Sequence, residues 1–115
     1  MVINFEGEIH DISDGIVQLL VSKRKDYKNS FDLIWEDMGM ISVIVRLRDK
    51  IARLQNLYNN ANDPAYESIK DTFMDIAGYA LLSLRMIKLN KQIKETITSI
   101  TGDKIEFMRE KHAKE

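Results

Sequence analysis

Two stripes of charged side chains lie on consecutive segments with helical spacing. The first, the basic stripe, is spaced i, i+3, i+4 and i+7 and consists of Arg46, Asp49, Lys50 and Arg53. The second, the acidic stripe, recurs every four residues and consists of Glu67, Asp71 and Asp75. Three carboxylates on a largely apolar helix are costly to bury unless a cation meets them. Carboxylates that can bind a metal ion, beside arginine and lysine, are typical of a site that binds the phosphates of a nucleotide.

The acidic stripe has two readings. Carboxylates one helical turn apart are suitable ligands for Mg²⁺, with Glu67, Asp71 and Asp75 as the metal-binding set. Alternatively, the same three residues pair with the cations of the basic stripe across a helix hairpin. Asp75 is flanked by Phe73, Met74, Ile76 and Ala77, where a solvated face is least expected. It is therefore a candidate catalytic residue as well as a metal ligand.

The basic stripe is equally open to two interpretations. Arg46, Lys50 and Arg53 are candidate phosphate ligands, or they extend over the edge of the core with their charged ends in water. Asp49 is the second candidate catalytic residue, since it could orient Lys50 or complete a metal shell.

A polar segment at residues 25–30 offers a further candidate contact. Tyr27 could stack on a base and Lys25 could meet a phosphate. The alternative is an ordinary solvated helix end with a tyrosine at the edge of the core.

Composition limits the class of protein. The chain has 115 residues, which predicts a single domain over 1–115. A net charge of −1 argues against a binder of duplex nucleic acid. The absence of cysteine excludes disulfides and thiolate metal sites and fits a cytoplasmic protein. The apolar runs are far shorter than the roughly 20 residues that span a bilayer, so we expect no membrane partner.

One proline and five glycines favour long helices over strands. Apolar spacing predicts helices over 8–25, 31–37, 40–58 and 64–89 or beyond, with Asn90 as a break before a last helix. Residues 1–7 are expected to be irregular and 109–115 to fray. The predicted fold is an all-α bundle of four or five helices with a long central hairpin, assembled into a homo-oligomer through the long helices.

Several residues are predicted to begin or end these helices. Ser30 is a candidate N-cap of the second helix, and Gly39 ends that helix or bends it. Asp63 followed by Pro64 is a typical helix start, with aspartate at the N-cap and proline at the first helical position.

Three blocks at residues 25–31, 45–57 and 67–81 resemble, in order and spacing, the phage and bacterial family called nucleotide modification associated domain, type 1. The family usually has a glycine after the tyrosine of the first block, where this chain has Lys28. Glycine reaches positive φ at the lowest cost, so this difference bears on the loop.

The family is distantly similar to the all-α MazG and dimeric dUTPase type of nucleoside triphosphate pyrophosphohydrolases. This resemblance implies Mg²⁺-dependent cleavage between the α and β phosphates and a phage source. Asp71 and Asp75 lie where the second acidic motif of those enzymes falls. Their first motif, Glu-Glu-x-x-Glu, is replaced by a segment containing Arg46 and Asp49, which favours binding without turnover.

Three hypotheses follow for function. The first is a Mg²⁺-dependent (deoxy)nucleotide pyrophosphohydrolase linked to phage nucleotide or DNA modification, working in the cytoplasm of the bacterial host. The second is a non-catalytic protein that sequesters a nucleotide, such as a defence signalling nucleotide, at a subunit interface. The third is a structural or protein-interaction module in which the two stripes only form interhelical salt bridges.

Overall fold

The computed structural model describes residues 4–60 and 65–101. Within these ranges 94% of the residues are helical and none belongs to a strand, which confirms the predicted all-α fold. The four helices of this part are α1 (Phe5–Tyr27), α2 (Ser30–Met38), α3 (Ile41–Asn59) and α4 (Ala65–Thr101).

Helix α1 begins earlier than the sequence pattern predicts. The side chain of Asn4 accepts a hydrogen bond from the backbone N–H of Gly7 at 3.0 Å and caps the helix. This bond satisfies one of the N–H groups that have no partner in the first turn. Glu6 and Glu8 add negative charge where the helix dipole favours it. The prediction of an irregular lead-in is therefore wrong for residues 5–7.

The α1–α2 and α2–α3 connections are each two residues long. Ser30 is the first helical residue of α2 and Asn29 is its N-cap, so the prediction that Ser30 caps this helix is wrong. Gly39 ends α2 with φ +75°, as predicted, and its N–H donates to the carbonyl of Trp35 at 2.7 Å. Helix α3 then starts at Ile41, one residue later than the pattern predicts.

Helix α4 is a continuous helix of 37 residues. The predicted break at Asn90 is wrong because asparagine costs only about 0.7 kcal/mol in a helix interior, which flanking apolar residues can offset. The predicted cap at Asp63, the first helical position at Pro64, the weak point at Gly102 and the frayed 109–115 lie outside the described residues. No helix within 4–60 and 65–101 is long and apolar enough to cross a membrane.

The chain divides into two compact units, one ending at Ser83 and one starting at Leu84. In the first unit, Ile16, Trp35 and Val43 are buried. Helices α1 and α4 approach closely at Gly78, where a Cβ atom would lie 3.2 Å from Leu20 Cδ2. The described part of the second unit is the continuation of α4 to Thr101. That the chain forms a single domain stays a prediction.

Candidate functional site

An open cleft of about 830 Å³ follows one face of α3 in the first unit, and we call it the α3 cleft. Eight lining residues come from the last four turns of α3 and the residue after it, and one comes from α4. They are Arg46, Asp49, Lys50, Ala52, Arg53, Asn56, Leu57, Asn60 and Tyr79. Because most positions recur three or four residues apart, the cleft is a property of one helical face.

The structure brings the whole basic stripe to this cleft. Arg46, Asp49, Lys50 and Arg53 all line it, in the order of the chain along the helix axis. At 1.5 Å per residue, Arg46 and Arg53 are about 10 Å apart along the axis, with Lys50 between them. Their predicted role in binding phosphate stays a prediction, but their shared location matches it.

Lys50 is held by a carboxylate from α4. Its Nζ atom lies 2.9 Å from Oδ2 of Asp75, while Nζ of Lys23 on α1 lies 3.3 Å from Oδ1. Partial burial raises the pKa of Asp75, but the hydrogen bond from Lys50 and the charges of both lysines outweigh it and lower the pKa below its ordinary value. Asp75 is therefore an ionised partner of two lysines.

The two arginines of the cleft are not neutralised in this way. Neither Arg46 nor Arg53 forms an ion pair with any residue in the described part of the chain. The Arg46 guanidinium lies over the ring of Tyr79, with its Cζ atom 5.7 Å from the ring centroid. Since Asp49 is the single carboxylate among the lining residues, the cleft carries an excess of positive charge.

The acidic stripe does not gather into one site. Glu67 and Asp71 are exposed and do not line the cleft, while Asp75 is occupied by the two lysines. Over 4–60 and 65–101, no group of three histidine or acidic side chains could hold a metal ion. Glu67, Asp71 and Asp75 therefore do not form one metal-binding group in the described part of the chain, and their predicted role in binding Mg²⁺ stays a prediction.

The predicted contacts from the first block lie away from the cleft. Lys25 and Tyr27 are in the last turn of α1, where both are exposed, Tyr27 by 66%. Neither is among the residues that line the α3 cleft. A role for them in binding a base or a phosphate stays a prediction from the sequence.

Six residues of this region were missed by reasoning from sequence: Lys23, Ala52, Asn56, Leu57, Asn60 and Tyr79. Lys23 continues the helical spacing of the apolar side chains of α1 that pack inward, such as Ile16 and Leu19. A charged side chain at such a position needs a partner of opposite charge, which is a signal that sequence reasoning could have used. Asn56 and Asn60 continue the basic stripe at i+3 and i+7 from Arg53, so the same spacing could have found them.

A comparison with protein families places most of this region in one known group. The family model described as nucleotide modification associated domain 1 matches residues 23–89, which contain every residue that lines the α3 cleft. This confirms the family predicted from the three blocks. No curated protein and no solved structure matches the chain.

Proposed function

We propose that this chain, which belongs to the nucleotide modification associated domain 1 family, binds a nucleotide through its phosphates in the α3 cleft. The observation that carries the proposal is the presence of two arginines without an ion-pair partner among the described residues, in an open cleft of about 830 Å³. The family description, which refers to nucleotide modification, makes a nucleotide the natural anion for such a cleft.

Charge and geometry both favour a phosphate over a neutral ligand. A guanidinium presents a planar fork of N–H donors that matches phosphate oxygens, and Arg46 and Arg53 offer two such groups on one helical face. Lys50 adds a point charge between them, which its ion pair with Asp75 holds in place. An anion entering the cleft would therefore meet Lys50 and Arg46 already held by Asp75 and Tyr79, which reduces the entropic cost of binding.

Titration calorimetry with nucleoside mono- and triphosphates in the presence of a chelator tests the proposal. Arg53→Gln should weaken binding by about tenfold or more, because a hydrogen bond to a charged group contributes about 1.5–3 kcal/mol. The matched control is Lys70→Gln, which removes one charge from an exposed position of α4 outside the cleft. An equal loss in both variants, or no binding of any nucleotide to the unmodified protein, would refute the proposal.

A second candidate function is the Mg²⁺-dependent pyrophosphohydrolase activity that the resemblance implies. Asp49 supports it, because this carboxylate lines the cleft beside Lys50 and Arg53. Against it stands the replacement of the first acidic motif of those enzymes by the segment that contains Arg46 and Asp49. We therefore favour a protein that retains its nucleotide, as in the sequestration hypothesis, over one that converts it.

Product analysis separates the two functions. The protein is incubated with deoxynucleoside triphosphates and Mg²⁺, and monophosphate and pyrophosphate are quantified. Release of pyrophosphate that disappears in Asp49→Asn would establish the enzyme. Binding without product, and unchanged by chelator, would establish retention alone.

A further inference from the structure

The two ends of the α3 cleft differ in their chemistry. The end nearer the start of α3 is cationic, with Arg46, Lys50 and Arg53. The other end is neutral and is lined by Asn56, Leu57 and Asn60. At 1.5 Å per residue, about 15 Å of helix axis separates Lys50 from Asn60, so the two chemistries occupy distinct places.

Tyr79 is the single aromatic side chain among the lining residues, but both of its neighbours already use its ring. Arg46 lies over the ring at 5.7 Å from the centroid. The ring of Phe31 stacks against it with centroids 6.4 Å apart and an interplanar angle of 23°. A base that stacked on Tyr79 would have to displace one of these contacts, so the cationic end is not a good base site.

The neutral end of the cleft, with Asn56, Leu57 and Asn60, offers the contacts that a base requires. Leu57 is half-buried and supplies apolar surface for the face of a planar ring. The side chain of Asn56 makes no hydrogen bond within the described residues. The side-chain N–H of Asn60 donates to the backbone carbonyl of Asn56 at 2.9 Å, which leaves the Oδ1 atom of Asn60 as an acceptor. Together the two amides present donors and acceptors of the kind that pair with base edges.

We propose, on the basis of the nucleotide binding proposed above, that the α3 cleft takes its ligand in one orientation. The phosphate lies at Lys50 and Arg53, and the base lies against Leu57 with its edge bound by Asn56 and Asn60. The ligand class is a nucleoside phosphate, because pyrophosphate would leave the amides unused and a free nucleoside would leave the cations unused.

Calorimetry with pyrophosphate and with adenosine, guanosine, cytidine and thymidine monophosphates tests this orientation. Asn56→Ala should weaken binding of at least one monophosphate by about tenfold and leave pyrophosphate binding unchanged. Arg53→Gln should weaken both. Asn59→Ala is the matched control, since this neighbouring asparagine is exposed and outside the cleft.

Two-dimensional ¹H–¹⁵N NMR spectra give a second measurement of the orientation. The side-chain amide signals of Asn56, assigned with the Asn56→Ala variant, should shift on titration with the monophosphate and stay in place with pyrophosphate. Pyrophosphate binding as tightly as every monophosphate, with Asn56→Ala without effect, overturns the orientation and leaves the proposed function standing. Failure of all these anions to bind overturns the proposed function, and the orientation with it.

Discussion

Asp75 connects three helices through one carboxylate. From α4 it accepts a hydrogen bond from Lys23 of α1 and one from Lys50 of α3. The side chain of Lys50 is 27% exposed and that of Lys23 is 49% exposed, so water screens the contact with Lys50 less. Asp75 lies one turn before Tyr79, which lines the cleft. It thus holds Lys50 in place beside the two arginines of the cleft.

The free energy of unfolding should depend on pH through the ionisation of Asp75. The pKa of Asp75 is lowered in the folded protein, so its contribution to the free energy of unfolding is present above the ordinary pKa of about 3.8. That contribution is lost as pH falls through the lower, folded-state pKa. We expect Asp75→Asn to be less stable than the unmodified protein at pH 7, with the difference shrinking below about pH 4.

Urea unfolding at pH 7, 5 and 3.5 measures the difference. Asp71→Asn is the matched control, because Asp71 is exposed and makes no ion pair in the described part of the chain. It should change stability by a similar small amount at each pH. A difference between Asp75→Asn and the unmodified protein that stays constant from pH 7 to 3.5 would contradict the ion-pair role.

At the scale of the helices, local signals predicted the fold well and its details less well. Gly39 ends α2 as expected, since its φ of +75° favours glycine. Asn90 did not end α4, because a single asparagine is a weak signal when apolar spacing continues past it. The cap at Asn4 was missed because the predicted start followed the apolar spacing that begins at Ile9, although asparagine is a favoured N-cap residue and Glu6 and Glu8 follow in the first turn.

The sequence predicted only the part of the candidate site that lies on a single helix, α3. Spacing alone fixed which residues share the face of α3, and those residues line the cleft. Which residue of another helix meets that face depends on packing, which spacing does not determine. For this reason the partners Lys23 and Tyr79 were missed, while the pairing of Asp75 with Lys50 was foreseen as one of two alternatives.

The α1–α2 connection contains the one non-glycine residue of the described chain with positive φ, Lys28, at φ 53° and ψ −122°. A Cβ atom is strained in this conformation, which glycine adopts freely. We expect Lys28→Gly to stabilise the protein by about 1 kcal/mol, the released strain exceeding the entropy that glycine loses on folding. Lys28→Ala keeps the Cβ atom and should give no gain. Thermal and urea unfolding measure both, and equal stability of the two variants would exclude strain at this position.

At the scale of the whole molecule, one face of α3 exposes four large aliphatic side chains around the exposed Arg48. These four side chains are each between 43% and 55% exposed and are Ile41, Ile44, Val45 and Ile51. A row of large aliphatic side chains in water is unfavourable, and a second copy of the same helix would cover it. We propose that the predicted homo-oligomer forms through this face of α3.

Ile51→Glu tests this assembly, since a carboxylate placed on a face that a second chain covers must lose its hydration. We expect the unmodified protein to sediment with at least twice the mass of one chain and Ile51→Glu to sediment as a monomer with unchanged helical content by circular dichroism. Leu33→Glu is the matched control, because Leu33 is a similarly exposed leucine on α2, outside this face, and should leave the mass unchanged. A monomeric unmodified protein, or loss of assembly in both variants alike, would show that the face of α3 does not mediate association.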